Sequence, residues 1–324
     1  MSQRIFITGT AGFIGFHLAK RLLDSGHEVF GIDNFNDYYS AQLKHDRHIQ
    51  LEHYKNYQWR KCDLCDGELL RLLVAAFQPD CVVNLAAQVG VRYSVTNPYA
   101  YQKSNVEGFL NVLECCRNLS PKPRLIYASS SSVYGGNKEL PFTESQPVDK
   151  PVSLYAATKK ANELMAHSYS HLFGFQAIGL RFFTVYGPWG RPDMAYWLFA
   201  EALLQGKLID VFNHGEMWRD FTYIDDIVSG IVGCITTPSL AQCDVFNIGN
   251  NRSEKLMDFV GLIAEALGIS NPAMALLPMQ EGDVPATWAN VDKLHAAVGY
   301  QAATPISIGV PRFVEWFKQY REKA

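Results

Sequence analysis

The chain has 324 residues, of which 48% are hydrophobic and 19% are charged. This balance is typical of a globular protein with a full hydrophobic core, and it argues against disordered and fibrous classes. The formal net charge is −3, the pI is near 6.3, and no long run of one charge occurs. We therefore expect small-molecule partners and no binding of nucleic acid.

The seven cysteines form neither a disulfide framework nor a paired zinc pattern. Cys62 and Cys65 are spaced like half of a metal or redox site, but no second pair accompanies them, so we expect no metal ion. The sequence starts without a charged leader and long apolar region, and it has no stretch of about 18 apolar residues. The expectation is a reduced, cytoplasmic protein that does not enter a membrane.

The first predicted strand, residues 4–8, leads into Gly9-Thr-Ala-Gly12-Phe-Ile-Gly15 and then into an amphipathic helix that ends near Ser25. Such a turn lets the backbone approach a pyrophosphate, whose charge the helix N-terminus stabilises. Gly9 would permit the turn, Gly12 the close approach, and Gly15 the packing of helix on sheet. A simple tight turn is the alternative. The dinucleotide interpretation assigns cofactor binding to Gly9, Gly12, Phe13, Ile14 and Gly15.

Asp33 ends the second predicted strand, residues 27–33, about 20 residues after the glycines. An acid at this position binds the hydroxyl groups of the adenosine ribose and repels a 2′-phosphate. The pattern therefore favours NAD over NADP, and a turn-capping role for Asp33 is the alternative.

Strands and helices continue to alternate through the first half of the chain. We predict strands at 58–61, 81–87, 124–128 and 177–182, and helices at 67–77, 98–118 and from 153 onward. This alternation with apolar strands predicts an α/β fold with a Rossmann-type, doubly wound parallel sheet. Ligands bind such sheets at the carboxyl ends of the strands, where the sequence places Asp63, Leu64, Leu85, Ala86 and Ala87.

Four consecutive serines, residues 129–132, follow the predicted strand at 124–128. A serine run is often a flexible loop. Directly after a buried strand, however, we expect the four hydroxyl groups to be held in place and to face the ligand cleft.

Tyr155 and Lys159 lie four residues apart in a predicted helix that opens after Pro151 and the capping residue Ser153. Residues at this spacing share a helix face, so the ammonium group would stabilise the phenolate and lower the pKa of the tyrosine from about 10. Tyr155 would then be a usable base. Three other pairs have this spacing. Tyr134/Lys138 spans two glycines that break a helix, and Tyr57/Lys61 lies in a strand-like alternating stretch. Tyr99/Lys103 follows Pro98 at a plausible helix start, so only its context argues against it.

The pattern changes after residue 182, where Tyr186-Gly-Pro-Trp-Gly-Arg-Pro192 is rich in turn residues. We predict a dinucleotide-binding domain at 1–182 and a smaller α/β substrate-binding domain at 183–324, with some segments returning to the first domain. The second part would contain helices near 195–205, 224–236, 256–267 and 308–320 and strands at 209–212 and 245–248. Its loops would bring charge toward the cleft through Arg191, Arg219 and Asp283.

With Gly9-x-x-Gly12-x-x-Gly15, Ser130, Tyr155 and Lys159, the chain resembles the extended short-chain dehydrogenase/reductase family of nucleotide-sugar enzymes over essentially its whole length. Three longer segments are most similar to those of UDP-glucuronate 4-epimerases. They are Ala128-Ser-Ser-Ser-Ser-Val-Tyr-Gly135, Ser153-Leu-Tyr-Ala-Ala-Thr-Lys-Lys-Ala-Asn-Glu163 and Arg181-Phe-Phe-Thr-Val-Tyr-Gly-Pro-Trp-Gly-Arg-Pro-Asp-Met-Ala195.

The resemblance implies a role for each matching residue. Tyr155 would be the base, Lys159 would bind the nicotinamide ribose and lower the pKa of Tyr155, and Ser130 would hydrogen-bond the oxygen at C4 of the sugar. The residues that would hold NAD also include Asp33, Asn34, Asp63, Leu64, Leu85, Ala86, Ala87 and Ser104. On the substrate side, Arg219 and Asp283 would hold the UDP ribose and phosphates. Arg191 would lie in the substrate loop.

Absent residues narrow the activity that the resemblance implies. Related 4,6-dehydratases carry Asp-Glu where this chain has Ser131-Ser132, and UDP-glucuronate decarboxylases carry Glu at the Ser132 position. Related hexose epimerases carry a tyrosine where this chain has Thr287. Neutral hydroxyl groups from Ser131, Ser132 and Thr184 suit a ligand carboxylate, because they cause no like-charge repulsion.

The resemblance thus implies NAD-dependent epimerisation at C4 of a UDP-uronic acid through a 4-keto intermediate. Three alternatives stay open: a UDP-glucose/UDP-galactose 4-epimerase, a UDP-glucuronate decarboxylase and a non-catalytic dinucleotide sensor. The helices at 98–118 and 153–173 would pair with their copies in a homodimer, as they commonly do in similar proteins.

Overall fold

A computed structural model describes residues 2–280 and 284–323 of the chain. In chain order the strands are β1 (Arg4–Thr8), β2 (Glu28–Asp33), β3 (Tyr57–Lys61), β4 (Cys81–Asn84), β5 (Arg124–Ser130), β6 (Ala177–Phe182), β7 (Thr184–Tyr186), β8 (Ile209–Val211), β9 (Trp218–Arg219), β10 (Phe221–Tyr223), β11 (Cys243–Ile248), β12 (Glu254–Lys255) and β13 (Met274–Leu276). The helices are α1 (Phe13–Asp24), α2 (Ala41–Leu51), α3 (Gly67–Phe77), α4 (Tyr93–Thr96), α5 (Pro98–Tyr101), α6 (Gly108–Asn118), α7 (Leu154–Phe173), α8 (Ala195–Leu204), α9 (Ile224–Thr236), α10 (Leu256–Leu267), α11 (Asp292–Val298) and α12 (Ile306–Lys323).

The predicted doubly wound α/β fold is confirmed by a parallel sheet of seven strands in the order β11-β6-β5-β4-β1-β2-β3. The strand order reverses between β1 and β4, so the loops after these two strands leave in opposite directions and open a cleft. Thr8 at the end of β1 pairs with both Ile32 and Asn84 in the register of the sheet. The Thr8 hydroxyl also donates to Asn84 Oδ1 at 2.7 Å, which fixes the edge of the cleft.

Both faces of this sheet are buried at strands such as β1, β4 and β6, which is why these strands are mainly apolar. Ile5 and Ile7 of β1 belong to a core on one face, whereas Phe6 belongs to a separate core on the other. Side chains of a strand alternate between the two faces, so one short segment contributes to both cores.

The predicted helix at 98–118 is not one regular helix. It consists of α5, a π-helical segment at Gln102–Glu107, and α6. Ser104 lies in the π-helical segment, and such segments change the direction of side chains relative to a regular helix.

Helix α2 has no counterpart in the sequence prediction. Its sequence, AQLKHDRHIQL, is rich in polar residues and lacks a clear apolar stripe, although Ser40 caps its start by accepting from Leu43 N at 3.4 Å. Helix α11 and five short strands, β7, β9, β10, β12 and β13, were also not predicted. Elements this short carry too little periodicity to be recognised.

The segment after residue 182 does not stay apart from the first sheet. Strand β11 pairs in parallel with β6 over its full length, from Cys243 to Ile248, and so extends the central sheet. The other strands of this part form three two-stranded sheets, β10-β7, β12-β9 and β13-β8. The domain boundary at residue 182 stays a prediction.

The cysteine thiols of this structure are unpaired, including Cys62 and Cys65. Burial raises the pKa of Cys62 to about 11 and that of Cys65 to about 12, so neither is a reactive thiolate near neutral pH. Within residues 2–280 and 284–323, no cluster of acidic, histidine and cysteine side chains has the makings of a metal site. In the same residues no helix combines the length and apolarity that a bilayer crossing requires.

Candidate active site

The glycine-rich turn follows β1 closely, as the spacing predicted. Gly9 has a φ of 80°, and a Cβ on it would lie 2.9 Å from Ala86 N. A Cβ on Gly15 would lie 2.0 Å from Gly9 O, so both positions require glycine. Gly12 is the N-cap of α1 and supplies no side-chain cap, which leaves the first-turn N–H groups for another acceptor. This arrangement fits the pyrophosphate of a dinucleotide.

The cleft at the carboxyl ends of the central strands brings the predicted cofactor residues together. All of them line it: Gly9, Gly12, Phe13, Ile14, Gly15, Asp33, Asn34, Asp63, Leu64, Leu85, Ala86, Ala87, Ser104, Tyr155 and Lys159. Ser130 and Arg191 line the same cleft. The structure therefore places the proposed base, the glycine-rich turn and one substrate-side arginine around one space.

Asp33 has the turn-capping role that the sequence offered as the alternative, and it also contacts the glycine-rich turn. Its Oδ1 accepts from Phe35 N at 2.8 Å and caps the turn after β2, while its Oδ2 accepts from Ala11 N in the glycine-rich turn at 3.1 Å. Asn34 donates to Asp63 Oδ2 at 2.8 Å. Burial would raise the pKa of Asp63, but the hydrogen bonds from Asn34 and Cys65 hold it below its ordinary value. Asp63 is therefore an anionic acceptor at the cleft.

Tyr155 and Lys159 lie on the first turns of α7, as predicted. Ser153 caps this helix by accepting from Ala156 N at 3.1 Å. The ammonium nitrogen of Lys159 lies 6.0 Å from the centroid of the Tyr155 ring and donates to Ala128 O at 2.9 Å. The two side chains thus share a face, but the lysine proton is directed to the backbone of β5.

The predicted direction of the Tyr155 pKa is wrong for the groups of the chain itself. Burial raises the pKa of Tyr155 above 10, and the hydrogen bond with Ser130 and the charge of Arg191 only partly counter this effect. Burial also lowers the pKa of Lys159 to about 8. Both shifts arise because a charged form loses its hydration inside the protein. The sequence alone could not show this free-energy cost of burying a charged group.

The serine run is ordered by hydrogen bonds, but its four hydroxyl groups do not all face the cleft. The Ser129 hydroxyl donates to Glu163 Oε1 at 2.7 Å in the protein interior, which corrects the prediction for this residue. The Ser132 hydroxyl donates to Ser130 Oγ at 2.9 Å. The strand alternates its side chains, so Ser129 and Ser130 must point to opposite faces.

The predicted substrate residues are grouped less closely around the cleft than the predicted cofactor residues. Arg191 lines the cleft and makes a two-point contact with Asp193, at 3.0 Å from Nε to Oδ1 and 2.8 Å from Nη2 to Oδ2. Thr184 lies between Phe183 and Val185, which both line the cleft. Ser131 and Ser132 directly follow Ser130 in a 3₁₀ turn at Ser131–Tyr134.

Arg219 and Asp283, the two predicted UDP positions, lie farther along the chain. Arg219 belongs to β9, and its Nη1 donates to Pro285 O at 3.2 Å. Asp283 lies outside the described residues.

Several residues that line the cleft were missed by the sequence analysis. Tyr38, Tyr39 and Lys44 come from α2 and the loop before it, an element that the pattern did not reveal. Burial lowers the pKa of Lys44, whose ammonium group donates to Asn36 O at 2.7 Å. Gln88 directly follows the predicted residues Ala86 and Ala87, and its position after a strand was a usable signal.

Comparison with known proteins gives a consistent picture. Residues 5–249 match the model of the NAD dependent epimerase/dehydratase family. Protein CapI of Staphylococcus aureus is 49% identical and covers 99% of this chain, which covers 100% of that protein. A probable UDP-glucuronate 4-epimerase of Rhizobium meliloti is 44% identical, with 99% of each chain covered. The crystal structure of a UDP-glucuronic acid 4-epimerase from Bacillus cereus, in complex with UDP-glucuronic acid and NAD, is 32% identical, with a TM-score of 0.91 and coverage of 98% of this chain and 99% of that one.

Proposed function

The chain belongs to the NAD dependent epimerase/dehydratase family, and from this premise we propose that it inverts C4 of UDP-glucuronate to give UDP-galacturonate, with NAD as cofactor. The observation that carries the proposal is the convergence of the glycine-rich turn, Ser130 and Tyr155 on one cleft. The relatives named UDP-glucuronate 4-epimerase support the choice of a uronic sugar.

NAD would be held by the residues that line the inner part of the cleft. The uncapped start of α1 at Gly12 would bind the pyrophosphate, and the carboxylate of Asp33 would bind the adenosine ribose. Bound NAD supplies a nicotinamide ring that can accept a hydride and return it. The chain supplies orientation and proton transfer.

Tyr155 would take the proton of the sugar 4-hydroxyl and return it after the ring has turned over. This role requires the phenolate, which burial disfavours. The Ser130 hydrogen bond and the positive charge of Arg191 both act in the opposite direction and favour the phenolate. Loss of the proton from the 4-hydroxyl and of the hydride from C4 would give a 4-keto sugar. Return of the hydride to the opposite face of C4, with the proton returning to the oxygen, would invert the centre.

A uronic substrate makes this ketone a β-keto acid, which can lose carbon dioxide. We infer that Ser131, Ser132 and Thr184 hold the carboxylate in an orientation that suppresses this loss. Their hydroxyl groups are neutral and can donate to an anion without repelling it. The hydrogen bond that joins Ser132 to Ser130 would couple this group of residues to the C4 oxygen.

Product identity tests the proposed function. The protein incubated with UDP-glucuronate and NAD should release UDP-galacturonate, and UDP-xylose in its place would indicate a decarboxylase. UDP-glucose offered under the same conditions should give little UDP-galactose. The Tyr155→Phe variant should bind nucleotide but lose turnover, by about 100-fold or more, because the proton acceptor is gone. An active variant would show that the base has been assigned to the wrong residue.

We also infer that the protein acts as a cytoplasmic homodimer, with residues 183–324 mainly serving the UDP-sugar. The unpaired cysteines support a reducing compartment. Exposed leucines on α6 and α7, among them Leu110, Leu164 and Leu172, support a second copy as the partner.

A further inference from the structure

Arg47 of α2 is a buried cation with an unusual set of partners. The residue is 0% exposed, and within the described parts of the chain it makes no ion pair. Its Nε and Nη2 donate to Trp189 O at 3.0 and 2.8 Å, and Nη2 also donates to Gly190 O at 2.9 Å. Its Nη1 donates to Ala11 O and to the Tyr39 hydroxyl, both at 2.8 Å. The five N–H groups of a guanidinium are thus matched by five hydrogen bonds.

These bonds join two segments that are far apart in the sequence but adjacent at the cleft. Ala11 belongs to the glycine-rich turn, and its N–H group donates to Asp33 at 3.1 Å. Trp189 and Gly190 belong to the loop of residues 187–193, in which they directly precede Arg191. One side chain therefore connects the dinucleotide half of the cleft to the sugar half.

The loop of residues 187–193 has a backbone that needs such support. Trp189 has a φ of 59°, a conformation that non-glycine residues rarely adopt. A Cβ on Gly190 would lie 1.9 Å from the Tyr196 hydroxyl, so the loop also requires glycine there. The loop therefore cannot relax freely to another shape while keeping its packing.

A second hydrogen bond holds the same loop from α1. His17 Nε2 lies 2.9 Å from Pro188 O. Burial lowers the pKa of His17 to about 4, so the ring is neutral near pH 7, and its Nε2–H can donate to the carbonyl. The loop is thus attached both to α1, which follows the glycine-rich turn, and to α2, whose Arg47 contacts that turn at Ala11.

We propose that Arg47 is a positioning residue that fixes the loop of residues 187–193, and hence Arg191, relative to the bound dinucleotide. This inference rests on the proposed function. It identifies Arg47 as the residue that sets the geometry of the sugar-binding side of the cleft. The glycine-rich turn has its own support, since Gly9 N donates to Ile32 O at 2.7 Å and Gly12 N to Gly9 O at 3.0 Å. Loss of Arg47 should therefore affect the sugar nucleotide more than NAD.

The test compares Arg47→Lys and Arg47→Gln with wild type in two measurements. Lysine keeps the charge and the alkyl stem but presents three donors from one point, so it cannot reach both segments. Calorimetry should show UDP-glucuronate binding to the NAD-saturated protein weakened by about 10-fold in Arg47→Lys, with NAD affinity changed by less than about 2-fold. In turnover assays, KM should rise by a similar factor while kcat changes less.

Arg124→Lys provides a matched control. Arg124 also holds backbone carbonyls, those of Cys234 and Ile235 at 2.6 and 2.8 Å, but it lies at the opposite end of the sheet. This variant should lose stability without weakening UDP-glucuronate binding. Equal sugar-nucleotide affinities in Arg47→Lys and Arg124→Lys, or equal losses of NAD and UDP-glucuronate affinity in the Arg47 variants, would overturn the proposal.

The same experiment separates this proposal from the proposed function. A wild-type protein that binds UDP-glucuronate but forms no UDP-galacturonate would refute the epimerase, while the binding comparison would still decide the role of Arg47. A wild-type protein that bound no UDP-glucuronate would refute both. Arg47→Gln removes the charge, so a loss in both variants assigns the effect to the forked geometry.

Discussion

Arg181 and Glu163 form a buried two-point ion pair next to the strand end that carries Ser130. Arg181 Nε donates to Glu163 Oε1 at 2.8 Å and Nη2 donates to Oε2 at 2.9 Å, and each side chain is 4% exposed. Ser129 donates to the same carboxylate, and Arg181 Nη1 donates to the Tyr134 hydroxyl at 3.0 Å. The pair thus supports both sides of the turn that contains Ser130.

Replacing Glu163 by glutamine should lower the free energy of unfolding by about 3 kcal/mol. The loss is large because Arg181 would remain buried without its counter-charge. Urea denaturation monitored by circular dichroism measures the effect. Glu28→Gln, which removes the partner of exposed Arg4, is the control and should cost about 1 kcal/mol or less. Similar losses in both variants would contradict the assigned importance of the buried pair.

The ion pair of Arg181 and Glu163 also predicts how the stability of the protein depends on pH. Burial alone would raise the pKa of Glu163, but the hydrogen bonds and charge of Arg181 hold it below 4.5. A carboxyl whose pKa is lowered by folding stabilises the protein above its unfolded pKa, and this contribution is lost as the pH falls through its folded pKa. The stability difference between wild type and Glu163→Gln should therefore be constant from about pH 5.5 upward and shrink below about pH 4.5.

Ser130→Ala should shift the pH dependence of turnover to higher pH. The Ser130 hydrogen bond lowers the pKa of Tyr155 against the effect of burial, so its removal leaves the phenol harder to ionise. The rising limb of kcat against pH should move upward, and the rate at pH 7 should fall about 10-fold or more. An unshifted limb with a lower maximum would mean that Ser130 acts in another way.

Thr184→Val should weaken binding of the uronic substrate and release its decarboxylated product. Valine keeps the shape of the side chain but removes the hydroxyl donor that we assign to the carboxylate. KM for UDP-glucuronate should rise by about 10-fold, and chromatography should detect a UDP-pentose that wild type does not form. Thr236→Val, at an exposed position on α9, is the control and should change neither quantity. Exclusive formation of UDP-galacturonate by Thr184→Val would contradict this role.

Leu164→Asp should convert the proposed homodimer to monomers. Leu164 is 58% exposed on α7, and a charge in the interface would be buried against the second copy. Size-exclusion chromatography with light scattering measures the mass. Leu198→Asp, at a 52% exposed leucine on α8, should leave the mass unchanged. Equal masses for wild type and Leu164→Asp would place the interface elsewhere or refute the dimer.

The fold and the inner cleft could be predicted because short-range rules govern them. The glycine spacing after β1, the acid at the end of β2 and the Ser153 cap before Tyr155 each depend on a few neighbouring residues. Backbone sterics, helix caps and alternating apolar faces act over that range. The alternation of strands and helices in the central sheet followed from the same periodicities, except for the polar helix α2.

Only the tertiary structure determines the ionisation of the site residues and the contacts between segments that are distant in the sequence. Burial raises the pKa of Tyr155, the Ser129 hydroxyl faces Glu163, and Arg47 reaches a loop that starts 140 positions further along the sequence. Hydration of a buried group and contact between distant segments depend on how the whole chain packs. Local sequence contains neither quantity, so it identified the residues of the site but not the environment that sets their chemistry.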